Sequence, residues 1–401
     1  MSAWLNVIGI GADGLHGLSP AARALVETAE VLVGGERHLA MVPDNGAERL
    51  IWELPLEQSL DAIRARRGKR VTVLATGDPM CFGIGATLAR CFDAGEIAVI
   101  PTLSAFSLAC ARLNWPFDAV ETLTLLGRPL EHLNLLLYPG ARLLLLAENG
   151  ATPAKVAALL KARGFGPSPM VVLEDMGGAR ESRIEGTAES WDAPRCKDLN
   201  TIAVECRPGA QAIIHSRVPG LPDQAFEHDG QITKREARAM TLSALAPLPG
   251  ERLWDIGAGC GSVAIEWLRA TLRARAVAIE RKPERAAMIA RNAAALGAPH
   301  LEVVAGEAPF ALEGLDAPDA VFIGGGLTAP GLFEACWDAL GARGRLVASA
   351  VTVEGEAVLT RHRKTLGGTL TRIAVSRLEP LGEFSAWRPS MPVTQLVSIK
   401  P

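Results

Sequence analysis

The residues whose types and spacing most directly imply chemistry are Asp255, three glycines at alternate positions (Gly257, Gly259 and Gly261) and Glu280 further along the chain. An apolar run from Arg252 enters Asp255, and after the glycines a helical stretch covers 262–272. A second apolar run, 276–279, stops at Glu280. Strand, glycine turn, helix, strand and acid make a nucleotide-binding β-α-β unit. The glycines allow a sharp turn and a close ligand approach that a Cβ would obstruct. The acid at the end of the second strand can accept both hydroxyls of a ribose. A dinucleotide fingerprint places its third glycine where Ser262 stands, so the spacing argues against NAD. It suits an adenosyl ligand with no pyrophosphate to seat, S-adenosylmethionine first among them. On that reading Asp255 and the glycines seat the methionine moiety, Glu280 the ribose, and Glu307 and Ala308 the adenine edge. Gly324 to Gly326 sit at a later strand end that faces the same ligand. A glycine-rich turn in some other α/β protein is the competing interpretation.

Methyl transfer from a sulfonium is a one-step displacement, and the protein's task is to align the reactants and exclude water. It needs no activated Ser or Cys, and no His, Ser and Asp set here forms a hydrolase motif. No catalytic side chain is therefore assigned. The seven cysteines are scattered, with no Cys-x-x-Cys spacing, so neither a metal site nor a disulfide framework is expected.

A second set of loops lies upstream. The run from Trp4 to Ile10 reads as a strand, and Gly9 and Gly11 open the turn after it. This turn formally matches Gly-x-Gly-x-x-Gly, but the helix is delayed until Ser19 as N-cap and Pro20 at the first helical position, unlike a dinucleotide site. The buried strand 71–75 runs into Thr76-Gly77-Asp78-Pro79. Strand 98–100 runs into a loop ending at Ser104 and Ala105, with a helix from Phe106 to Leu113. Such turns at the carboxyl ends of strands are where α/β ligand sites form. Gly9, Gly11, Gly77, Asp78, Ser104 and Ala105 are thus the binding candidates of the first half.

The elements that must position these loops divide the 401 residues into two domains. Residues 1–218 form one, 219–227 a Pro- and Gly-rich linker, and 228–401 the other. In the first, Arg142–Ala147 and Met170–Glu174 read as strands, and the segments at 181–187 and 201–206 as a hairpin-like pair. In the second, Thr233 and Glu236 read as a capping box. The remaining alternation gives a doubly wound sheet whose last strands, 370–376 and 394–399, are antiparallel. A hydrophobic content of 49% with 21% charged residues excludes a disordered chain. A net charge of −3 gives no push toward nucleic acid or an anionic membrane surface. The most apolar stretch is broken by Pro139, Gly140 and Arg142, so no membrane span is expected. The start lacks a basic lead, so no signal peptide is expected either and the location is cytoplasmic.

Asn6-Val-Ile-Gly-Ile-Gly, Leu32-Val-Gly-Gly-Glu-Arg-His-Leu, Thr76-Gly-Asp-Pro and Ser104-Ala-Phe-Ser together resemble the tetrapyrrole (corrin and porphyrin) methylase family. That family's loop reads Gly-x-Gly-Pro-Gly-Asp, where this chain has Gly9-Ile-Gly-Ala-Asp-Gly. The segment from His228 resembles the decarboxylating class I methyltransferases of precorrin-6 methylation. The joined modules resemble the fused precorrin-6Y C5,15-methyltransferase family of cobalamin biosynthesis. The resemblance implies an α/β protein with a two-subdomain tetrapyrrole methylase fold followed by a class I methyltransferase sheet. It also implies two S-adenosyl-L-methionine sites, one per domain. The implied reaction is methylation of precorrin-6B at C5 and C15 with decarboxylation of its C12 acetate, giving precorrin-8X. The first domain would act at C5, and the second at C15 and in decarboxylation. A homo-oligomer, dimer or tetramer, is implied as well. The substrate's many carboxylates call for Arg or Lys in both clefts, with Arg252, Lys234 and Arg128 as candidates. A methyltransferase acting on another substrate, such as RNA, is the alternative; it would favour a long Lys/Arg-rich face, which the sequence lacks.

Overall fold

The computed structural model describes residues 3–401, so Met1 and Ser2 of the expected leaderless start lie outside the described residues. The chain divides into two compact units, one ending at Ile213 and the other beginning at Ile214, with Pro129–Leu135 counted in the second.

The first unit holds two sheets. β1 (Leu5–Ile10), β2 (Val31–Gly34), β3 (Glu48–Ile51), β4 (Val71–Thr76) and β5 (Ile97–Ile100) form a parallel sheet in the order β3-β2-β4-β1-β5. β1 is buried along its whole length and β4 all but its last residue, as expected of central parallel strands covered on both faces. The chain leaves β1 toward β2 and leaves β4 in the other direction toward β5. Their carboxyl ends therefore flank a topological switch point. The delayed helix is real: a 3-10 turn, Gly14–Gly17, precedes Pro20–Glu27, and the Ser19 side chain caps it by accepting the Ala22 N–H.

The second sheet joins β6 (Glu121–Thr124), β7 (Arg142–Leu146), β8 (Pro169–Glu174), β9 (Ser182–Thr187) and β10 (Asn200–Glu205) in the order β6-β7-β10-β8-β9. The expected hairpin between the last two does not form. β9 pairs with β8, while β10 lies between β7 and β8, antiparallel to both. β10 is buried up to its last residue, which suits a central position, whereas β9 alternates and takes the edge.

The second unit is a seven-stranded sheet. β11 (Arg252–Ile256), β12 (Arg275–Glu280), β13 (Glu302–Ala305), β14 (Ala320–Ile323), β15 (Arg345–Ala350), β16 (Thr369–Ile373) and a final strand, Val393–Ile399, order as β13-β12-β11-β14-β15-final-β16. The final strand runs antiparallel to both neighbours, as the sequence predicts. The intervening ribbon of β17 (Ser376–Leu381) and β18 (Phe384–Pro389) was not expected from the sequence; the final strand is hence β19. A second switch point lies between β11 and β14, whose following loops carry Gly257 and Gly324.

Two expectations are corrected here. The stretch read as a linker is built into the second unit: Gly220 and Leu221 donate their N–H groups to the Glu266 carboxylate at 2.6 and 3.0 Å. Arg238, fully buried, binds Glu266 at 2.7 Å and Asp223 at 3.2 Å. Thr233 and Glu236 form no capping box, since the helix Arg235–Leu245 begins after Lys234 without a side-chain cap. The Thr233 carbonyl instead accepts from Arg238, and Glu236 pairs with Arg377. Among the described residues no helix is long and apolar enough to cross a membrane.

Candidate functional site

In the second unit the glycine loop lies at the carboxyl end of β11. Gly257, Gly259 and Gly261 all have positive φ, at 65°, 61° and 79°. A Cβ on Gly257 would sit 2.7 Å from Gly325 Cα, so the two switch-point loops touch through bare backbone. Beside them opens a cleft of about 760 Å³, floored by Gly257 to Gly259 and bounded by Glu280, Glu307 and Ala308 on one side and Gly324 to Gly326 on the other. Gln231 to Lys234, Ser349 and Ser390 are also on the wall.

Glu280 ends β12 with 4% exposure. Its Oε2 accepts the Gly259 N–H at 2.9 Å and its Oε1 the Lys282 N–H at 3.0 Å. A carboxylate offers about four acceptor positions, so one lone pair on each oxygen remains for a ribose hydroxyl. This donor and acceptor set, with an open glycine floor, fits an adenosyl group.

Two of the expected contacts fall elsewhere. Asp255 is 1% exposed and lies behind the loop, off the cleft wall. Its Oδ2 accepts the Ala264 N–H at 3.0 Å, in the first turn of the helix Ser262–Ala270, and its Oδ1 has no partner. Burial pushes its carboxyl up to about 7, against the Ala264 hydrogen bond and with a contribution from the Glu280 charge. Gly261 is likewise off the wall: it caps that helix, and a Cβ there would meet Ile289 at 2.8 Å. Asp255 and Gly261 thus shape the loop, while Gly257, Gly259, Glu280, Glu307 and Ala308 face the space.

Cations for substrate carboxylates are also redistributed. Lys234 lines the cleft, 3.9 Å from Asp223. Arg252 lies at the opposite end of β11, paired with Asp316 at 2.5 Å. Arg281, not anticipated, lines the cleft and makes no ion pair among the described residues. Its position directly after Glu280 was the available sequence signal. Arg285 also lines it but is held by Asp229 at 2.7 Å.

In the first unit the three expected loops converge on Gly77, at the carboxyl end of β4. A Cβ on Gly9 would lie 1.8 Å from the Gly77 carbonyl oxygen and 2.7 Å from the Thr102 nitrogen. Thr102 donates both its N–H (3.3 Å) and its hydroxyl (3.0 Å) to that oxygen. Gly77 itself has φ 58°, with Leu103, Ser104 and Ala105 next to the place a Cβ would occupy. Ser104 caps the helix Ala105–Leu113 by accepting the Ser107 N–H at 3.1 Å. Asp78 closes a turn, accepting the Met80 N–H at 2.8 Å. Gly11 gives room to the Asp13 carboxylate, 2.5 Å from where its Cβ would be. Gly9, Gly77, Asp78, Ser104 and Ala105 therefore surround one switch point, with Gly11 on the loop beside it. Arg128 is engaged otherwise, its guanidinium 5.5 Å above the Phe82 ring.

Comparison with known proteins agrees with this geometry. Residues 5–192 match the tetrapyrrole (corrin/porphyrin) methylases, and residues 224–400 match the precorrin methyltransferase domain. A precorrin-6Y C(5,15)-methyltransferase (decarboxylating) of Sinorhizobium sp is 49% identical over 396 residues, covering 98% of this chain and 96% of the relative. One from Mycobacterium tuberculosis strain H37Rv is 44% identical over 395 residues, covering 97% of this chain and 98% of the relative. A cobalt-precorrin-7 C(5)-methyltransferase of Salmonella typhimurium is 34% identical over 177 residues, covering 44% of this chain and 87% of the relative. With both modules present in one chain and the likeness running through nearly all of it, the chain belongs to the precorrin-6Y C(5,15)-methyltransferase (decarboxylating) family.

Proposed function

We propose that this chain methylates a precorrin-type tetrapyrrole at C5 and C15 and decarboxylates its C12 acetate, using S-adenosylmethionine in each half. The observation that carries the two-site reading is the pair of switch points. One is built by Gly9, Gly77 and Ser104; the other by Gly257, Gly259 and Glu280, on a sheet of different order. The division of labour puts C5 in the first unit and C15 with decarboxylation in the second. A relative named as a cobalt-precorrin-7 C(5)-methyltransferase and matching 44% of this chain supports separable activities.

When bound, the sulfonium supplies an electrophilic methyl group. The chain's own residues then act by placement. Glu280 fixes the adenosyl end, and the bare Gly324 to Gly326 backbone lets a flat macrocycle approach. Lys234 and Arg281 are positioned to take its carboxylates. No thiol nucleophile is required, and Cys260, within the loop between Gly259 and Gly261, is 1% exposed with its pKa raised by burial. Loss of carbon dioxide leaves an electron pair that the conjugated ring can accept, so the protein has only to orient the acetate and return a proton. A homo-oligomer, dimer or tetramer, belongs to the same proposal; Leu378, Phe384 and Trp387, exposed on the β17–β18 ribbon, support it, and sedimentation measures it.

The deciding experiment incubates the full chain with reduced precorrin-6 and S-adenosylmethionine and weighs the product. Two methyl groups gained and one carbon dioxide lost is the expected result. Two methyl groups without decarboxylation would reject the decarboxylase assignment.

A further inference from the structure

Arg37 and His38 follow β2 in a short helix, Glu36–Ala40, at the carboxyl edge of the first sheet. Their side chains meet Thr76, the last residue of β4 and the neighbour of Gly77. Arg37 Nη2 lies 3.0 Å from His38 Nε2 and 3.0 Å from Thr76 Oγ1, and His38 Nε2 lies 2.9 Å from the same Oγ1. A guanidinium only donates, so His38 Nε2 must present a lone pair. The imidazole is therefore neutral, with its proton on Nδ1, which is enclosed and unpartnered. Burial first and Arg37 second push its pKa down to about 4, consistent with that form.

The guanidinium is half-buried, and burial lowers its pKa more than the charge of Asp175 raises it. It makes no ion pair within 4 Å among the described residues. Asp175 is itself engaged by Lys197 at 3.5 Å and Arg180 at 3.7 Å. Arg37 is thus a partly desolvated cation, fixed on one edge by two neutral acceptors, beside the loops around Gly77. An arginine so held presents its remaining N–H groups in a fork that matches a carboxylate.

We propose that Arg37 receives a carboxylate side chain of the tetrapyrrole at the first unit's methylation site, with His38 and Thr76 as positioning residues for its guanidinium. This rests on the reading of that unit as a tetrapyrrole methylase, and it adds which cation of the unit recognises the substrate.

The test uses the full chain and follows first-unit methylation against tetrapyrrole concentration. Arg37→Ala should raise KM for the tetrapyrrole by about 10- to 100-fold, the loss of one charge-assisted contact pair. The affinity of the first unit for S-adenosylmethionine should stay within about twofold, and decarboxylation by the second unit should be unchanged. Arg37→Lys should recover part of the loss, and His38→Ala should raise KM less than Arg37→Ala does. Should Arg37→Ala fail to fold, Arg37→Gln keeps donors without the charge and should show the same rise in KM. An unchanged KM in the folded variant overturns the proposal. So does a loss of cofactor affinity that matches the change in KM, since Arg37 would then serve the cofactor site. If the wild-type chain methylates no precorrin, the functional reading fails first; if it does and the folded variant matches it, this inference alone fails.

Discussion

Glu280 Oε2 accepts the backbone N–H of Gly259 at 2.9 Å, so the end of one strand holds the tip of the glycine loop that leaves its neighbour. The same carboxylate takes the Lys282 N–H at 3.0 Å on its other oxygen. Both oxygens face donors. A glutamine there would turn its own amide N–H toward one of them, and an alanine would leave both unpaired.

Glu280→Gln should therefore weaken S-adenosylmethionine binding in the second unit by about 10- to 100-fold, with Glu280→Ala weaker still. One charged hydrogen bond is worth roughly 1.5–3 kcal/mol. Titration of the full chain should then show one weakened site and one unaffected. Equal weakening of both would refute separate sites.

The complementary lesion is Gly9→Ala. Its Cβ would fall 1.8 Å from the Gly77 carbonyl oxygen, backbone that cannot swing aside. The loops must separate, and first-unit cofactor binding should be lost while the second unit binds and decarboxylates as before. A product carrying one new methyl group and lacking one carboxyl group is expected by mass. Retention of both methylations would show that the Gly77 switch point is not a cofactor site.

How much of this was legible depended on whether a residue's role is local. The glycine turns and the Ser19 cap are set by residues a few positions away, and their spacing revealed them. The close approaches of Gly9 to Gly77 and of Gly257 to Gly325 and the Ser104 cap came only from the structure. The position of Glu280, at the end of β12 and on the cleft wall, was legible from the spacing of strand, glycine turn, helix and strand. Asp255 was misplaced because the helix Ser262–Ala270 curls back over it: the Ala264 N–H claims its carboxylate, a contact that needs the turn's actual path. The ribbon β17–β18 was missed because Pro380 and Pro389 interrupt its pattern, although Leu381-Gly-Glu-Phe384 was a readable two-residue turn. The stretch at 219–227 looked like linker by composition. Its attachment runs through Arg238 and Glu266, which no local pattern reveals.

That attachment carries its own prediction. Arg238 is fully buried and Glu266 2% exposed; Glu266 is satisfied by Arg238 and by the N–H groups of Gly220 and Leu221, and Arg238 by Glu266, Asp223 and backbone carbonyls of residues 221–233. Removing Arg238 strands the Glu266 charge in the core, which costs about 3–5 kcal/mol. Arg238→Ala should destabilise the second unit by about that amount, and Glu266→Ala by less, since Arg238 keeps Asp223. The double variant should fall short of the sum. Strict additivity in denaturant titrations would mean that the two do not act as a pair.

Asp255 offers the pH test. Its carboxyl is raised to about 7 in the fold, against a reference of 3.8, because burial disfavours the anion more than the Ala264 N–H favours it. The folded state therefore holds this proton more tightly than the unfolded chain does. The stability it contributes is fully present below about pH 4 and is lost as pH rises through about 7, on the order of a few kcal/mol in all. Asp255→Asn keeps an acceptor for the Ala264 N–H and cannot ionise, so this part of the pH dependence should vanish. Hydrogen exchange across 252–280 at pH 5 and pH 8 reads the difference locally. Wild-type protection should fall between the two values by more than the Asn variant's does, after correction for intrinsic exchange. Parallel profiles would mean that Asp255 is ionised throughout and that its unpartnered Oδ1 is compensated in some other way.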